Sequence, residues 1–180
     1  MALYWLMRLP ALLFACAFVA SNETLAATKI QGTSVSYQIK SDPLSDGNTN
    51  MVFIDAQEDD SGKTYMSFVC EVGYPWFRLY SKVPLAVQAE IDQRSLLSMS
   101  YRADNNAVGV IDIVPRADRQ THKLSVLYAY RTPSSQMLRV FLTAMSQVVV
   151  RINRINDGTL TYTFPVRGFR TAFQKIKSCN

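Results

Sequence analysis

The sequence predicts a mainly β fold: an antiparallel β-sandwich of about nine strands with a short helix, a C-terminal helix packed on the sheet and one disulfide. Three observations support this prediction. Short runs of alternating apolar and polar residues, separated by turn residues, fill most of the chain. The period becomes helical in two places, near residues 132–145 and 169–179. Two cysteines remain once a predicted leader is set aside.

Residues 1–26 have the pattern of a secretory signal peptide. Arg8 precedes the apolar run of residues 9–20, and small residues stand before the expected cleavage site. The run is shorter than the ~20 apolar residues of a spanning helix. We therefore expect cleavage at the end of this segment, a single β-sandwich domain over residues 27–180 and no membrane span after cleavage. A lipoprotein signal acylated at Cys16 and a retained anchor are the alternatives.

The strands are predicted from period-two runs in chain order. Turn residues separate them, such as "EDDSG" after the second run and "INDG" before the last. Residues 73–84 contain two prolines, so we expect an edge strand or a loop there, because proline has no N–H for an interior ladder. Residues 85–94 fit either a short helical turn or irregular structure. The other expected strands lie within residues 33–40, 51–57, 64–72, 95–104, 107–114, 124–130, 147–153 and 159–166.

Two segments have helical spacing. In residues 132–145, Ser134 or Ser135 is placed to cap a helix. After the last hairpin, Gly168 allows a sharp turn into a second helix. The apolar stripe of that helix consists of Phe169, Ala172, Phe173 and Ile176. Cys179 lies on the same stripe, so the helix should lay its apolar face on the sheet and bring this cysteine to the core.

Removal of the leader leaves Cys70 and Cys179. A pair of cysteines in an exported protein is usually oxidised. Cys70 shares one face of its strand with Met66 and Phe68, so it should point to the core. We predict a Cys70–Cys179 disulfide, for which chain-entropy models give ~4–5 kcal/mol as an upper figure. Two separate buried thiols are the alternative.

No constellation of residues predicts catalysis, a metal or a cofactor. His122, the single histidine, lies in a polar loop, and the chain has no G-x-S-x-G motif. We interpret it as a solvated loop residue. The acidic run with Glu58, Asp59 and Asp60 lacks EF-hand spacing, so we interpret it as a solvated hairpin tip. No catalytic, cofactor-binding or metal-binding residue is therefore assigned, and the chain is expected not to be an enzyme.

The charge is mildly basic, with a formal value of +5 spread along the chain. This balance favours an acidic protein or envelope component as partner, and it falls short of a nucleic-acid footprint. Basic residues are frequent near the C-terminus, where they alternate with apolar ones and indicate a solvated surface. They are Arg151, Arg154, Arg167, Arg170, Lys175 and Lys177.

The aromatic stretch "GYPWF" and the arginine after it are the best candidates for partner contact. Tyrosine, tryptophan and arginine are enriched at binding hot spots, because they supply large contact areas in few rotamers. The predicted contact residues are Tyr74, Trp76, Phe77 and Arg78. Ordinary core or edge packing is the alternative for this stretch.

The closing segment, "VVVRI…DGTLTYTFPVRGF..AF..I..C", resembles the C-terminal end of two groups of small exported bacterial domains. They are the invasion-associated locus B family and the periplasmic accessory proteins of type VI secretion, with phage-borne relatives. The upstream pieces "FVC" and "MSYRAD" resemble their earlier segments. The resemblance implies a periplasmic or secreted β-sandwich without catalytic residues. It carries over Cys70, Gly168, Phe169, Ala172 and Cys179 as core or disulfide positions, but the chain has one cysteine pair, which departs from the locus B pattern.

Together these features predict an exported binding module that acts as an accessory or inhibitory partner of a cell-envelope or secretion-system component. A small periplasmic hydrolase and a structural envelope protein are the alternative functions. No signal in the sequence indicates the oligomeric state.

Overall fold

The computed structural model describes residues 26–40, 49–71, 73–93, 97–154, 158–176 and 179. The predicted signal peptide lies almost entirely outside these residues. The strands are β1 Thr28–Lys29, β2 Val35–Gln38, β3 Asn50–Asp55, β4 Tyr65–Glu71, β5 Tyr74–Tyr80, β6 Leu97–Ala103, β7 Gly109–Arg116, β8 Val126–Ala129, β9 Gln147–Asn153 and β10 Thr159–Pro165. The helices are α1 Gln88–Gln93, α2 Thr132–Thr143 and α3 Phe169–Ile176. Within the described residues, no helix is long and apolar enough to span a bilayer.

All the strands pair antiparallel, so the prediction of a mainly β, antiparallel fold is confirmed. The described part of the chain contains one ten-stranded sheet, in the order β1-β2-β3-β4-β5-β8-β7-β6-β9-β10. Hydrogen bonds link every neighbour in this series, in place of the two separate sheets of a sandwich. The predicted sandwich is therefore not shown, and the sheet has one strand more than the sequence predicted, since the two-residue β1 has too short a pattern to recognise.

The sheet curls so that its β10 edge meets the turn after β3. The backbone N–H of Gln57 donates to the carbonyl oxygen of Thr163 at 2.8 Å. The N–H of Thr163 donates to the Glu58 carboxylate at 2.9 Å. Gln57 and Glu58 follow β3, whereas Thr163 lies on the edge strand β10. This curl explains how one sheet encloses a core.

The core lies on the concave side of the sheet, under α2 and α3. Four phenylalanine rings, Phe68, Phe77, Phe141 and Phe169, meet at its centre with centroid separations between 5.3 and 5.6 Å. Phe68 and Phe77 come from β4 and β5, and the other two come from the helices. Edge-on packing of this kind suits the quadrupoles of the rings.

The predicted closing segment is confirmed. Gly168 has a φ of 91°, a backbone conformation that only glycine adopts easily, and it starts α3. The buried side chains of α3 include Phe169 and Ile176. The Asn50 amide donates to the carbonyl oxygen of Ile176 at 2.7 Å, which satisfies a terminal group of the helix. Cys179 then forms the predicted disulfide with Cys70, closing a sequence separation of 109 residues.

The prediction of an edge strand or loop at residues 73–84 is wrong. β5 occupies this segment and lies inside the sheet, between β4 and β8. Pro75 fits there because β8 pairs with β5 only from Phe77 to Tyr80. Pro75 therefore has a single neighbouring strand, β4, and no second ladder to interrupt.

The predicted capping role of Ser134 or Ser135 is also wrong. α2 begins at Thr132, and its N-cap residue, Arg131, makes no side-chain cap. The buried Ser134 hydroxyl instead accepts the Phe77 N–H at 2.7 Å and donates to the Ala129 carbonyl oxygen at 2.6 Å. It thereby ties α2 to β5 and β8. The segment left open in the sequence contains the helix α1, Gln88–Gln93.

Candidate functional site: the aromatic face

The convex side of β3, β4, β5 and β8 carries a continuous set of large side chains. Strand residues alternate between the two sides of a sheet, so those next to core residues point outward. The register then places Tyr65 opposite Tyr80, and Arg78 opposite Tyr128. We call this surface the aromatic face. Its members are Phe53, Tyr65, Trp76, Arg78, Tyr80, Tyr128 and Tyr130.

The rings of the aromatic face contact one another. Tyr65 and Tyr80 stack with centroids 4.6 Å apart and planes at 17°. Tyr128 and Tyr130 are near parallel, at 14° and 6.2 Å. Trp76 meets Tyr130 edge-on at 5.1 Å. These contacts hold the rings in fixed orientations, so a ligand would find the surface already ordered.

The aromatic face is thick enough to bury residues beneath it. Val69 points to the convex side, opposite Trp76 in the register, yet its exposure is 0 %. Val126 and Ser67, also on this side, are buried as well. Neither valine belongs to the main core. The large outer side chains therefore form a second apolar layer, over which none of the helices α1, α2 and α3 of the described residues is part of the packing.

Arg78 places a positive charge inside this layer. Its guanidinium carbon lies 5.3 Å from the centre of the Tyr128 ring, a cation–π geometry. The side chain is half-buried. A charge held among rings interacts more strongly with an incoming anion than one in bulk water, because the local dielectric constant is lower.

A groove of about 690 Å³ runs along the aromatic face to the loop after β7. Arg78 and four tyrosines line one part of it, and Arg116, Arg119 and Gln120 line the other. Asp118 also borders the groove. Its lining residues thus include three arginines and one aspartate, so the groove favours an anion.

The Asp118 carboxylate is already used by its own loop. It accepts the N–H groups of Gln120 at 3.0 Å and Thr121 at 2.8 Å, and the Thr121 hydroxyl at 2.9 Å. These hydrogen bonds, of which the one from the Thr121 N–H has the largest effect, hold the pKa of Asp118 below its ordinary value. The loop is fixed by this carboxylate, which stays ionised, and the three arginines of the lining outnumber this one negative charge.

The hydroxyl groups of Tyr65 and Tyr128 remain protonated at neutral pH. Burial, reinforced by the neighbouring Tyr80, raises the pKa of Tyr65 to about 12. Burial also raises the pKa of Tyr128, while Arg78 acts in the opposite direction. The hydroxyl groups therefore act as neutral hydrogen-bond donors and acceptors along the groove.

The four residues predicted to contact a partner do not lie on one surface. Trp76 and Arg78 lie on the aromatic face, and Tyr74, with 65 % exposure, lies where β5 begins. The prediction that Phe77 contacts a partner is wrong. Its side chain points into the core and has 0 % exposure. Alternation along β5 separates it from its two neighbours.

Most residues of the aromatic face were not predicted from the sequence. The tyrosines of "LYAY", Tyr128 and Tyr130, sit two residues apart, a visible sign of one shared strand face. No local signal showed that β8 would pair with β5, because 45 residues separate the end of β5 from the start of β8 (Tyr80 to Val126). Tyr65 and Tyr80 become neighbours only through the β4–β5 register.

The other singled-out residues have different roles. His122 is exposed in its loop, with a φ of 56°. The prediction of a solvated acidic tip is wrong for Asp59, which is 3 % exposed and pairs with Lys82 Nζ at 3.1 Å. Hydrogen bonds from Ser61, Thr64 and Lys82 hold its pKa well below the ordinary range. The described residues contain no cluster of three or more potential metal ligands.

The convex side of β6, β9 and β10 has a different character. A depression of about 610 Å³ there is lined by small polar residues and two exposed arginines, together with Tyr101, Val108 and Val149. The register aligns Ser100, Arg151 and Thr161 in one row across the three strands. We call this surface the hydroxyl face. Its members are Ser100, Arg102, Arg151, Asn153, Thr159 and Thr161.

The fold and the site define a small, disulfide-bonded, antiparallel β protein with a preformed aromatic surface. A solved protein of similar fold is invasion associated protein B from Bartonella henselae. Its crystal structure matches with a TM-score of 0.53 at 11 % identity, over 84 % of this chain and 94 % of that chain. At this identity the likeness shows the fold alone.

That likeness confirms one part of the resemblance seen in the sequence, the part concerning the invasion-associated proteins. No protein-family model matches the chain, and no curated protein matches it. Nothing in these comparisons supports the links to type VI secretion accessory proteins or to phage-borne relatives.

Proposed function

We propose that this chain is a non-enzymatic binding module and that its aromatic face captures an acidic partner. The observation that carries the proposal is the half-buried Arg78, set among ordered tyrosines on the floor of a groove that two further arginines border. Such a surface joins the residue types that dominate binding energy with a fixed positive charge.

Preorganisation is the physical advantage of this face. Rings that already stack on one another lose little conformational freedom when a ligand arrives, so more of the contact energy becomes affinity. The guanidinium of Arg78 can pair with a carboxylate, phosphate or sulfate in two parallel hydrogen bonds. The adjoining rings exclude water and so strengthen this pairing.

The place of action that we propose is the periplasm or the cell exterior. Disulfides persist in oxidising compartments, and Cys70–Cys179 fastens α3 to the sheet. The fold likeness to an invasion-associated protein fits the same setting. Within it, we propose that the chain is an accessory or inhibitory partner of an envelope or secretion-system component, as the sequence resemblance implies.

Paired variants on the two convex surfaces test this proposal. The oxidised protein is immobilised and exposed to acidic and neutral polymers of an envelope extract over a range of salt concentrations. Arg78→Ala should weaken acidic retention by about tenfold or more, a typical loss for a hot-spot arginine. Arg151→Ala, which removes an arginine from the hydroxyl face, should retain acidic polymers like the wild type.

Two results would contradict the proposal. Equal losses in the two variants would show that overall charge, and not the aromatic face, determines binding. Equal retention of acidic and neutral polymers by the wild-type protein would show that the arginines do not select the ligand. Thermal unfolding of each variant confirms that the fold is intact before binding is compared.

A further inference from the structure

We propose that the groove of the aromatic face takes a short glycan with one acidic group at its end. This inference rests on the proposed function and names its ligand class. The sugar rings would lie along the tyrosines, and the anion would lie between Arg116 and Arg119. Three features of the groove support this class: its arginine end, its hydrogen-bonding groups and its lack of aliphatic anchor sites.

One row of convex residues crosses the groove and differs in charge between its two ends. The strand register places this row in the order Asp55, Tyr65, Tyr80, Val126, Arg116. Three strand spacings, about 14 Å in total, separate Tyr65 from Arg116. Arg116 lines the groove, whereas Asp55 lies beyond its lining and interacts with Lys29. The arginine end of the groove therefore suits a ligand with a single terminal anion.

The arginine end of the groove is available for an anion. Arg116 and Arg119 are exposed, and neither joins an ion pair within the described part of the chain. Asp118, between them in sequence, has its carboxylate engaged by Gln120 and Thr121. Two guanidinium groups so placed can each pair with a carboxylate.

The remaining lining suits sugar rings better than a peptide. Four tyrosines and Gln120 contribute hydroxyl and amide groups, which match the many hydroxyls of a glycan. Sugar C–H groups, which are slightly positive, can lie against the negative faces of aromatic rings. Among the described residues, Ala117 and Val126 alone supply aliphatic side chains to the lining. A peptide would find no deep apolar pocket here for the anchor side chain that such complexes use.

Four probes of defined chemistry distinguish the ligand classes. They are a xylo-oligosaccharide bearing one glucuronic acid, the same oligosaccharide without it, a glutamate-rich peptide and a thymidine oligonucleotide. Calorimetric titration of the oxidised full chain should show the acidic oligosaccharide binding about tenfold or more tightly than each of the others. The double variant Arg116→Ala/Arg119→Ala should lose most of this preference for the acidic oligosaccharide, and Arg78→Ala should reduce it as well, because Arg78 lines the same groove.

Tyrosine variants separate ring contact from hydroxyl contact. Tyr80→Ala should weaken both oligosaccharides by about tenfold, and Tyr80→Phe, which keeps the stack with Tyr65, should cause a smaller loss. The control is the double variant Arg102→Ala/Arg151→Ala on the hydroxyl face, which should bind like the wild type. Unfolding curves identify any variant that fails to fold. If Tyr80→Ala does not fold, the smaller loss expected for Tyr80→Phe tests the contact instead.

The possible failures are distinct. If the peptide or the oligonucleotide binds more tightly than either oligosaccharide, and Arg78→Ala abolishes that binding, the glycan inference is overturned while the proposed function stands. If the acidic and neutral oligosaccharides bind equally, the terminal-anion part of the inference is overturned. If no probe binds more tightly to the wild type than to Arg78→Ala, both proposals are overturned.

Discussion

The aromatic face and the hydroxyl face belong to the same sheet and follow the same alternation, yet they treat charge differently. Arg78 is half-buried among rings, whereas Arg151 is exposed among serine and threonine side chains. Val69, under the aromatic face, has 0 % exposure, whereas Val110, beside the hydroxyl face, has 58 %. The size of the neighbouring side chains therefore determines how far each of these two arginines is desolvated.

The two faces share one support. Both stand on the core that α2, α3 and the Cys70–Cys179 disulfide hold against the concave side of the sheet. A change in that support should affect the two faces alike, and a change in one face should leave the other intact.

Loss of the disulfide should weaken both faces together. Cys179→Ser should lower the free energy of unfolding by about 4 kcal/mol, because it frees a loop with a sequence separation of 109 residues in the unfolded chain. Urea denaturation measures the change, and reduction of the wild-type protein is the matched control with the same expected loss. If Cys179→Ser kept its stability but lost binding, the closing segment would belong to the binding site and would not merely support it.

Removal of an outer ring should reveal the second apolar layer. Trp76→Ala should cost about 1–2 kcal/mol of unfolding free energy, because it uncovers Val69 and breaks the contact with Tyr130. Thr161→Ala on the hydroxyl face should cost less than about 0.5 kcal/mol. Both values come from the same denaturation experiment. Similar losses of unfolding free energy in the two variants would show that the aromatic face does not form a second apolar layer.

Backbone strain at the end of the aromatic face should be measurable. Arg131, directly after Tyr130, has a φ of 49° and a ψ of −114°, a conformation that suits glycine. Arg131→Gly should therefore raise the free energy of unfolding by about 1 kcal/mol. Arg131→Ala is the control, since it removes the side chain and keeps the strain. A gain in Arg131→Ala equal to that in Arg131→Gly would show that the side chain is responsible.

Alkaline pH should destabilise the aromatic face through Tyr65. The folded state holds the pKa of Tyr65 at about 12, above its ordinary value of 10.0, so the unfolded state releases its proton first. Stability is therefore fully present below about pH 10 and falls as the pH rises towards 12. Tyr65→Phe should reduce this loss in denaturation curves taken across that range. Tyr74→Phe, at an exposed tyrosine, should leave the loss in place.

Local features of the fold could be predicted from the sequence because they depend on neighbouring residues. The period of residues 147–176 and the position of Cys179 were enough to predict the last hairpin, α3 and the disulfide. The curl of the sheet could not be predicted, because it depends on contacts such as Thr163 with Gln57 and Glu58. These contacts join residues more than a hundred positions apart, and neither segment has a sequence pattern that indicates them.

The candidate site shows the same division. Trp76 and Arg78 were predicted from their residue types. The two prolines of residues 73–84 argued against an interior strand, so the inward orientation of Phe77 was not predicted. The tyrosines join them only because β4, β5 and β8 are adjacent in the sheet. A surface assembled from distant strands is a property of topology, which a single sequence does not display.

The most direct test of the central claim is a map of backbone amide shifts during titration of the isotope-labelled, oxidised protein with an acidic oligosaccharide. Binding on the aromatic face should concentrate the shifts in β4, β5, β8 and residues 116–120 and leave β9 and β10 unchanged. Shifts concentrated on β6, β9 and β10 would place binding on the hydroxyl face and contradict it.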